Sequence, residues 1–339
     1  MDTKKYAVSK ILMVAGAALL MWGCAVKAAN EEEYKGVYVF DMHQDIASNY
    51  QDTGELSKIE GVAARGYSKA AVILENGHTV IAYADIIMKG DGVAVVEDKE
   101  ISGVKGIYLH DDFCSITDAY KDAKEFLDEG EKVLVVLLDG LSLRQYEAFC
   151  KENSGSFIKS CYKTQALSVF TPVTNAGYAA IITGQWPDVN GVYDRSFRDL
   201  KVESIFGYSL KNNKNTILLE GDVKILNTES EPVLHTDLDN DGDTDDEMYD
   251  SALKACGEDY DLIFLHFHGI DDRGHSYGPM DEETLDYIET VDGYLKSLSD
   301  EWNGKIIMTA DHGMHETEDG GGHGLCCYYD MVVPYFVRE

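Results

Sequence analysis

The chain has 339 residues, 45% of them apolar, and no long low-complexity tract; a sizeable buried core is expected, and a disordered or fibrous chain is excluded. Acidic residues outnumber basic ones, 61 to 29, for a net charge of −32. That excludes a nucleic-acid duplex as partner, since binding its backbone needs a basic surface, and it suits a protein that holds divalent cations.

The first elements are a targeting segment and a β-rich stretch. Lys4, Lys5 and Lys10 precede an apolar run at 11–22, too short to span a bilayer and shaped like a signal h-region. Gly23-Cys24 behind it resembles a bacterial lipoprotein signal, with Cys24 as the lipidated residue; Met21 and Trp22 match that signal poorly, and cleavage after Ala28 or Ala29 is the alternative. Either reading predicts an exported protein, free or lipid-anchored, that meets a membrane only through the anchor, so residues 1–30 are set apart from the fold. The seven cysteines show no disulfide framework and no CxxC knuckle, although export permits disulfides. Residues 31–130 read as an accessory β-rich region, with short apolar runs at 36–40, 70–74 and 79–83. Glu75-Asn76-Gly77-His78 reads as a hairpin turn. His43 and Asp45 read there as a surface hydrogen-bond pair rather than metal ligands.

The character changes at about residue 131. Val133-Leu134-Val135-Val136-Leu137-Leu138 is a continuous apolar run, the pattern of a central parallel strand covered on both faces. It ends in Asp139-Gly140, readable as a turn or as a carboxylate at the strand's carboxyl end, where ligands gather in open α/β sheets. A helix at 142–151 follows. Strands are then expected at 216–220, 261–266, 305–309 and 331–337, with helices at 247–256 and 282–298. In the last of these, Leu285, Ile288, Val291 and Leu295 recur at helical spacing. The alternation predicts an α/β fold over residues 131–339: a doubly wound, mostly parallel sheet with helices on both faces.

The stretch at 168–192, SVFTPVTNAGYAAIITGQWPDVNGV, places Thr174 before a small-residue helix at 175–183 that Gly184 stops. A helix start offers free N–H groups to an anionic oxygen. Thr174 is therefore either a plain N-cap or a nucleophile, which would need a base or a metal beside it. Metal-ligand residue types stand at the ends of three predicted strands: Asp139; His266, His268, Asp271 and His275; and Asp311-His312. His323 lies in a glycine-rich segment. Mixed Asp and His donors suit zinc, with manganese or iron as alternatives.

Together, Asp139-Gly140, the Thr174 helix with Thr183-Gly184, Pro187 and Gly191, Asp271-x-x-Gly274-His275-x-x-Gly278-Pro279, Asp311-His312-Gly313-Met314 and Gly322-His323-Gly324 resemble the alkaline phosphatase superfamily, nearest its nucleotide pyrophosphatase/phosphodiesterase branch. Thr174-Asn175 is also similar to the nucleophile region of phosphonoacetate hydrolase. The resemblance implies one metal on Asp271, His275 and His323, and a second on Asp139, Asp311, His312 and the Thr174 hydroxyl. It implies that Thr174 attacks phosphorus, that the Asn175 backbone N–H holds a non-bridging oxygen, and that water resolves a phosphothreonine. The substrate would be a small phosphoric ester, diester or monoester. Phosphonate hydrolysis on the same site and a non-catalytic surface binding protein are the alternatives.

The chain departs from the branch in two places. Asn190-Gly191 stands where it has His-Gly, and Arg195 falls on a phosphate-contacting asparagine. Arg195 reads as a phosphate ligand or as a surface partner of Asp194 or Asp199. Outside the resemblance, the acidic loop Asp237-x-Asp239-x-Asp241-Gly242-Asp243-x-x-Asp246 matches the first half of a calcium loop, with Met248 where the bidentate Glu would stand. The loop reads either as a calcium site on Asp237, Asp239, Asp241, Asp243 and Asp246, which mutual repulsion of so many carboxylates favours, or as a solvated acidic turn.

Overall fold

The computed structural model describes residues 38–41, 57–58, 68–83, 86–89 and 92–339, all within one compact unit at 37–339. The targeting segment, Cys24, His43 and Asp45 lie outside the described residues. No described helix is long and apolar enough to cross a membrane.

The six buried residues of Val133–Leu138 form the middle of an eight-stranded sheet. Its order is Val233–Leu234, Thr216–Glu220, Leu262–Phe267, Val133–Leu138, Lys305–Thr309, Val332–Arg338, Tyr162–Leu167, Cys114–Ser115. Val133–Leu138 pairs in parallel with Leu262–Phe267 on one side and Lys305–Thr309 on the other. The aligned register brings Asp139, Phe267 and Thr309 to the same edge. Val332–Arg338 runs antiparallel to both its neighbours, so the sheet is mostly parallel, as the alternation predicts.

Helices cover the sheet. Glu282–Glu301 buries Ile288, Val291 and Leu295 of the expected stripe, with Leu285 half-buried, and adds Leu298. Asp118–Asp128 buries Ala119, Ala123 and Leu127 in the same large core, which therefore begins before residue 131. The N-terminal strands build two four-stranded sheets. Ala70–Leu74 and Thr79–Ala82 pair as the expected hairpin, and a second small core includes Val72, Ala82, Ile86, Ala94 and Ile107. Tyr162–Leu167 is a strand the apolar pattern does not announce.

The helix Thr174–Thr183 is buried along nearly its whole length, and its composition of Ala, Gly and Ile is what allows it. A Cβ on Gly177 would collide with the Asp311 carbonyl oxygen, so the helix lies closer to the Asp311 turn than any larger residue permits. Gly177→Ala should therefore destabilise the protein by about 2 kcal/mol, an overpacking cost that outweighs alanine's better helix propensity. The midpoint of urea unfolding checks this, and an unchanged or raised midpoint would contradict the close approach.

Candidate active site

The Asp and His side chains that the sequence places at strand ends come together at one edge of the sheet. Asp139 follows the central strand directly, with its amide donating to the Phe267 carbonyl at 3.0 Å. Gly140 adopts φ +75°, and a Cβ there would meet Asp271 Oδ1 at 2.8 Å, so the turn that presents Asp139 also leaves room for Asp271. Asp271 and His275 sit four apart on the helix Gly269–Tyr277, hence on one face. Asp311 and His312 follow Lys305–Thr309, and His323 follows the hairpin strand Gly320–Gly322. Thr174 is the first residue of its helix; Val173 takes the cap position and no side chain caps the end. The N-cap reading of Thr174 is thus replaced by a first-turn hydroxyl, whose Oγ1 lies 3.4 Å from His312 Nε2.

The histidine tautomers are set from behind. His312 Nδ1 donates to the Gly313 carbonyl, His275 Nδ1 to the Gly321 carbonyl and His323 Nδ1 to the Pro172 carbonyl, each at 3.0 Å. All three present Nε2 to carboxylates. His312 Nε2 lies 3.3 Å from Asp139 Oδ1 and 3.5 Å from Asp311 Oδ2; His275 Nε2 lies 3.3 Å from Asp271 Oδ2; His323 Nε2 lies 3.9 Å from Asp271 Oδ1. Asp139 Oδ1, Asp271 Oδ1 and Asp311 Oδ2 are buried with no hydrogen-bond partner among the described residues. Buried carboxylate oxygens are normally bonded or bound to metal. A main-chain acceptor behind a histidine that offers its other nitrogen forward is the arrangement of metal ligands. The residues present therefore fit divalent cations.

The electrostatics agree. Burial, then the charges of Asp139 and Asp271, push Asp311 well above the usual carboxylate range. Burial alone would raise Asp139 too, but hydrogen bonds from His266 and His268 and the His312 charge hold it well below. His275 is pushed up to about 9, chiefly by its bond to Asp271. His323 is pushed down to about 3 by burial and then by His312, which keeps Nε2 unprotonated and able to accept.

Asn175 is buried at the helix start, with its side chain tied to the Phe197 and Ile225 carbonyls at 3.0 and 3.4 Å. Arg195 does not pair with Asp194 or Asp199, which bond Ser196 and Asn227. It reaches inward, placing Nη2 2.6 Å from His323 Nε2. His266 and His268 contact Asp139 Oδ2 at 3.0 and 3.5 Å. The sequence shows both residues but gives no reason to separate them from ligands.

The acidic loop adjoins this site. Asp237, Asp239 and Asp241 bring carboxylate oxygens within 4.8 Å of one another. Asp243 Oδ2 lies 2.8 Å from Arg273 Nη2. Asp246 Oδ1 is buried without a hydrogen-bond partner among the described residues.

A parallel sheet with Asp, His and a hydroxyl at its carboxyl edge defines an alkaline phosphatase-like α/β protein. The type I phosphodiesterase / nucleotide pyrophosphatase family matches residues 133–238 and 222–326, and the chain belongs to that family. Among curated relatives, GPI ethanolamine phosphate transferase 1 of Neurospora crassa is 36% identical over 81 residues, 22% of this chain and 8% of its own length. Ectonucleotide pyrophosphatase/phosphodiesterase family member 7 of Mus musculus is 42% identical over 66 residues, 17% of this chain and 15% of its own. The matched stretches thus span less than a fifth of these relatives. Among solved structures, phosphonoacetate hydrolase from Sinorhizobium meliloti 1021 is 20% identical with a TM-score of 0.43, covering 54% of this chain and 56% of its own. Murine ectonucleotide pyrophosphatase/phosphodiesterase 5 is 22% identical with a TM-score of 0.43, covering 56% and 58%.

Asp245 holds the ligand helix to the acidic loop. It is fully buried and accepts from the amides of His268 and Gly269 at 2.8 and 2.9 Å and from the Tyr287 hydroxyl at 3.0 Å. Asp245→Ala would leave three buried donors without an acceptor, each worth about 1–3 kcal/mol. A loss of about 3 kcal/mol in unfolding free energy is expected. A loss under about 1 kcal/mol would mean that water replaces the carboxylate.

Proposed function

We propose that this protein hydrolyses small phosphoric esters, diester or monoester, through Thr174 and two divalent cations. The observation that carries the reading is the set of three orphaned carboxylate oxygens opposite three histidines with fixed tautomers. Asp271, His275 and His323 would hold one cation; Asp139, Asp311, His312 and Thr174 the other. Zinc is the first choice for this donor set and manganese the second. Bound there, the cations would lower the Thr174 hydroxyl pKa and draw charge from the phosphoryl oxygens.

The chain's own residues supply the rest. Thr174 Oγ1 bonds to phosphorus as the bond to the leaving-group oxygen breaks, and the hydroxyl proton passes through solvent to that oxygen. Water then attacks phosphorus, the P–Oγ bond breaks, and phosphate or a monoester leaves. The first-turn amides at Thr174 and Asn175 point at the developing oxyanion. Arg195, whose Nη2 lies 2.6 Å from His323 Nε2, would fork onto two phosphoryl oxygens. The relatives named as transferases point to a second reading, in which an alcohol instead of water resolves the phosphothreonine.

Thr174→Ala should lower turnover of bis-p-nitrophenyl phosphate or p-nitrophenyl phosphate by at least ~100-fold, about 2.7 kcal/mol of barrier, while Thr171→Ala costs much less. Chelation should abolish turnover in the wild type, and zinc or manganese should restore it. Acid quenching followed by mass spectrometry should find phosphate on Thr174. Undiminished activity in metal-free protein or in Thr174→Ala would defeat the reading. Phosphonate and sulfate substrates in the same panel separate the neighbouring chemistries.

The acidic loop is assigned to calcium within the same reading, on Asp237, Asp239 and Asp241 with Asp246 nearby. Burial, then Glu247 and the charges of Asp239 and Asp241, push Asp246 up to about 6. A raised carboxylate pKa means the charged form strains the fold, so this contribution to stability falls as pH rises from about 4 to about 6. Calcium should relieve that strain. It should raise Tm more at pH 7.5 than at pH 5, and Asn at 237, 239 and 241 should remove the gain. An equal response in the triple variant would leave the loop a hydrogen-bonded turn.

A further inference from the structure

His266 is the last inward-facing side chain of the strand Leu262–Phe267, fully buried beside Asp139. Its Nε2 lies 3.0 Å from Asp139 Oδ2. A carboxylate only accepts, so the imidazole hydrogen sits on Nε2, and Nδ1, which has no partner among the described residues, carries the lone pair. That tautomer is opposite to those of His275, His312 and His323, which donate from Nδ1 to main-chain carbonyls and turn Nε2 forward. His266 thus faces Asp139 as a donor, with its lone pair on the nitrogen turned away from the carboxylate.

The two oxygens of Asp139 are divided accordingly. Oδ2 takes the His266 hydrogen at 3.0 Å, with His268 Nδ1 farther off at 3.5 Å; Oδ1 is left without a bond, 3.3 Å from His312 Nε2. A carboxylate free to rotate would exchange these roles. A hydrogen bond from a rigid, fully packed ring prevents it, and the Tyr178 ring packed edge-on against His266, 5.2 Å between centroids, fixes the donor in turn.

Resting on the two-cation reading above, we propose that His266 is a positioning residue: it pins Asp139 Oδ2 and so aims Oδ1 at the cation site shared with Asp311, His312 and Thr174. The rival for the same atoms is a third cation held by Asp139, His266 and His268, whose donor atoms also lie within 4.8 Å of one another.

The test uses H266F and H266N, which remove the donor by bulk and by length, and H266Q, whose amide can still reach Asp139. Zinc per chain is measured on the full protein after dialysis against graded chelator, with kcat and KM and the Tm of each metal-free form. Wild type should hold two zinc ions. H266F and H266N should bind one of them about 10- to 100-fold more weakly, with the loss falling on kcat rather than KM. H266Q should stay within a few-fold of wild type. The metal-free Tm values separate this from a general loss of packing, and either donor-less variant suffices if the other fails to fold. Wild-type zinc retention in both would overturn the proposal and leave the two-cation reading standing. A third zinc in the wild type, lost in all three variants, would overturn it in favour of a His266 ligand. A wild type that binds no zinc or manganese would overturn both.

Discussion

Three buried carboxylates, Asp139, Asp271 and Asp311, are gathered at one edge of the sheet, and the rest of the site is arranged around their mutual repulsion. Two like charges about 4 Å apart repel by about 4 kcal/mol at an effective dielectric of 20, a large share of the 5–15 kcal/mol that stabilises a domain. The chain offsets part of this with histidines. His275 pairs with Asp271 and His266 donates to Asp139, but Asp311 is left with its proton affinity raised. Such a cluster is hard to account for as a stabilising feature. It makes physical sense as a receptor for positive charge, and that is the root of the functional reading.

The scaffold keeps the cluster from relaxing apart. The parallel pairing of Val133–Leu138 with both neighbours fixes where Asp139 and Asp311 emerge. Gly177 lets the Thr174 helix lie against the Asp311 turn, and the Ser168 hydroxyl donates to the Asp311 carbonyl. From the other side Asp245 caps the start of the Asp271 helix, and Arg273, 3.4 Å above the Tyr287 ring and bonded to Asp243, ties that helix to the acidic loop. The loop and the site are therefore one mechanical assembly although they are separate in sequence.

Much of this was legible in the residues themselves. The unbroken apolar run before Asp139, the stripe of 282–298 and the glycine after Thr183 each have one ready interpretation, and the fold follows from them. Tyr162–Leu167 was not legible, because its outer half is exposed and its inner half buried, so neither alternation nor a continuous apolar run marks it. The role of Thr174 could not be separated from capping until Val173 was seen in the cap position. Asp243 looks like its neighbours in the loop, and only the fold brings Arg273 to it. His266 and His268 carry a ligand's residue type in a ligand's neighbourhood. What distinguishes His266 is which nitrogen faces the carboxylate, a property of tertiary geometry that no spacing encodes.

The net charge poses a last question of consistency. A protein at −32 repels an anionic ester at long range, and the orphaned carboxylates would repel it at contact. Against this the site sets the amides at the Thr174 helix start and Arg195, whose guanidinium already lies at His323 Nε2. One helix terminus is worth about half a charge, so with Arg195 the local positive charge is about one and a half, below the three carboxylates it opposes. In the proposed reading two divalent cations add four, reversing the sign where phosphorus would sit. The acidic surface outside is screened within about 8 Å at physiological salt, so the ester would meet that local field and not the overall charge. In that reading the same cations would both let the carboxylates stay buried together and make the site attractive to an anionic ester, so one charge requirement accounts for both.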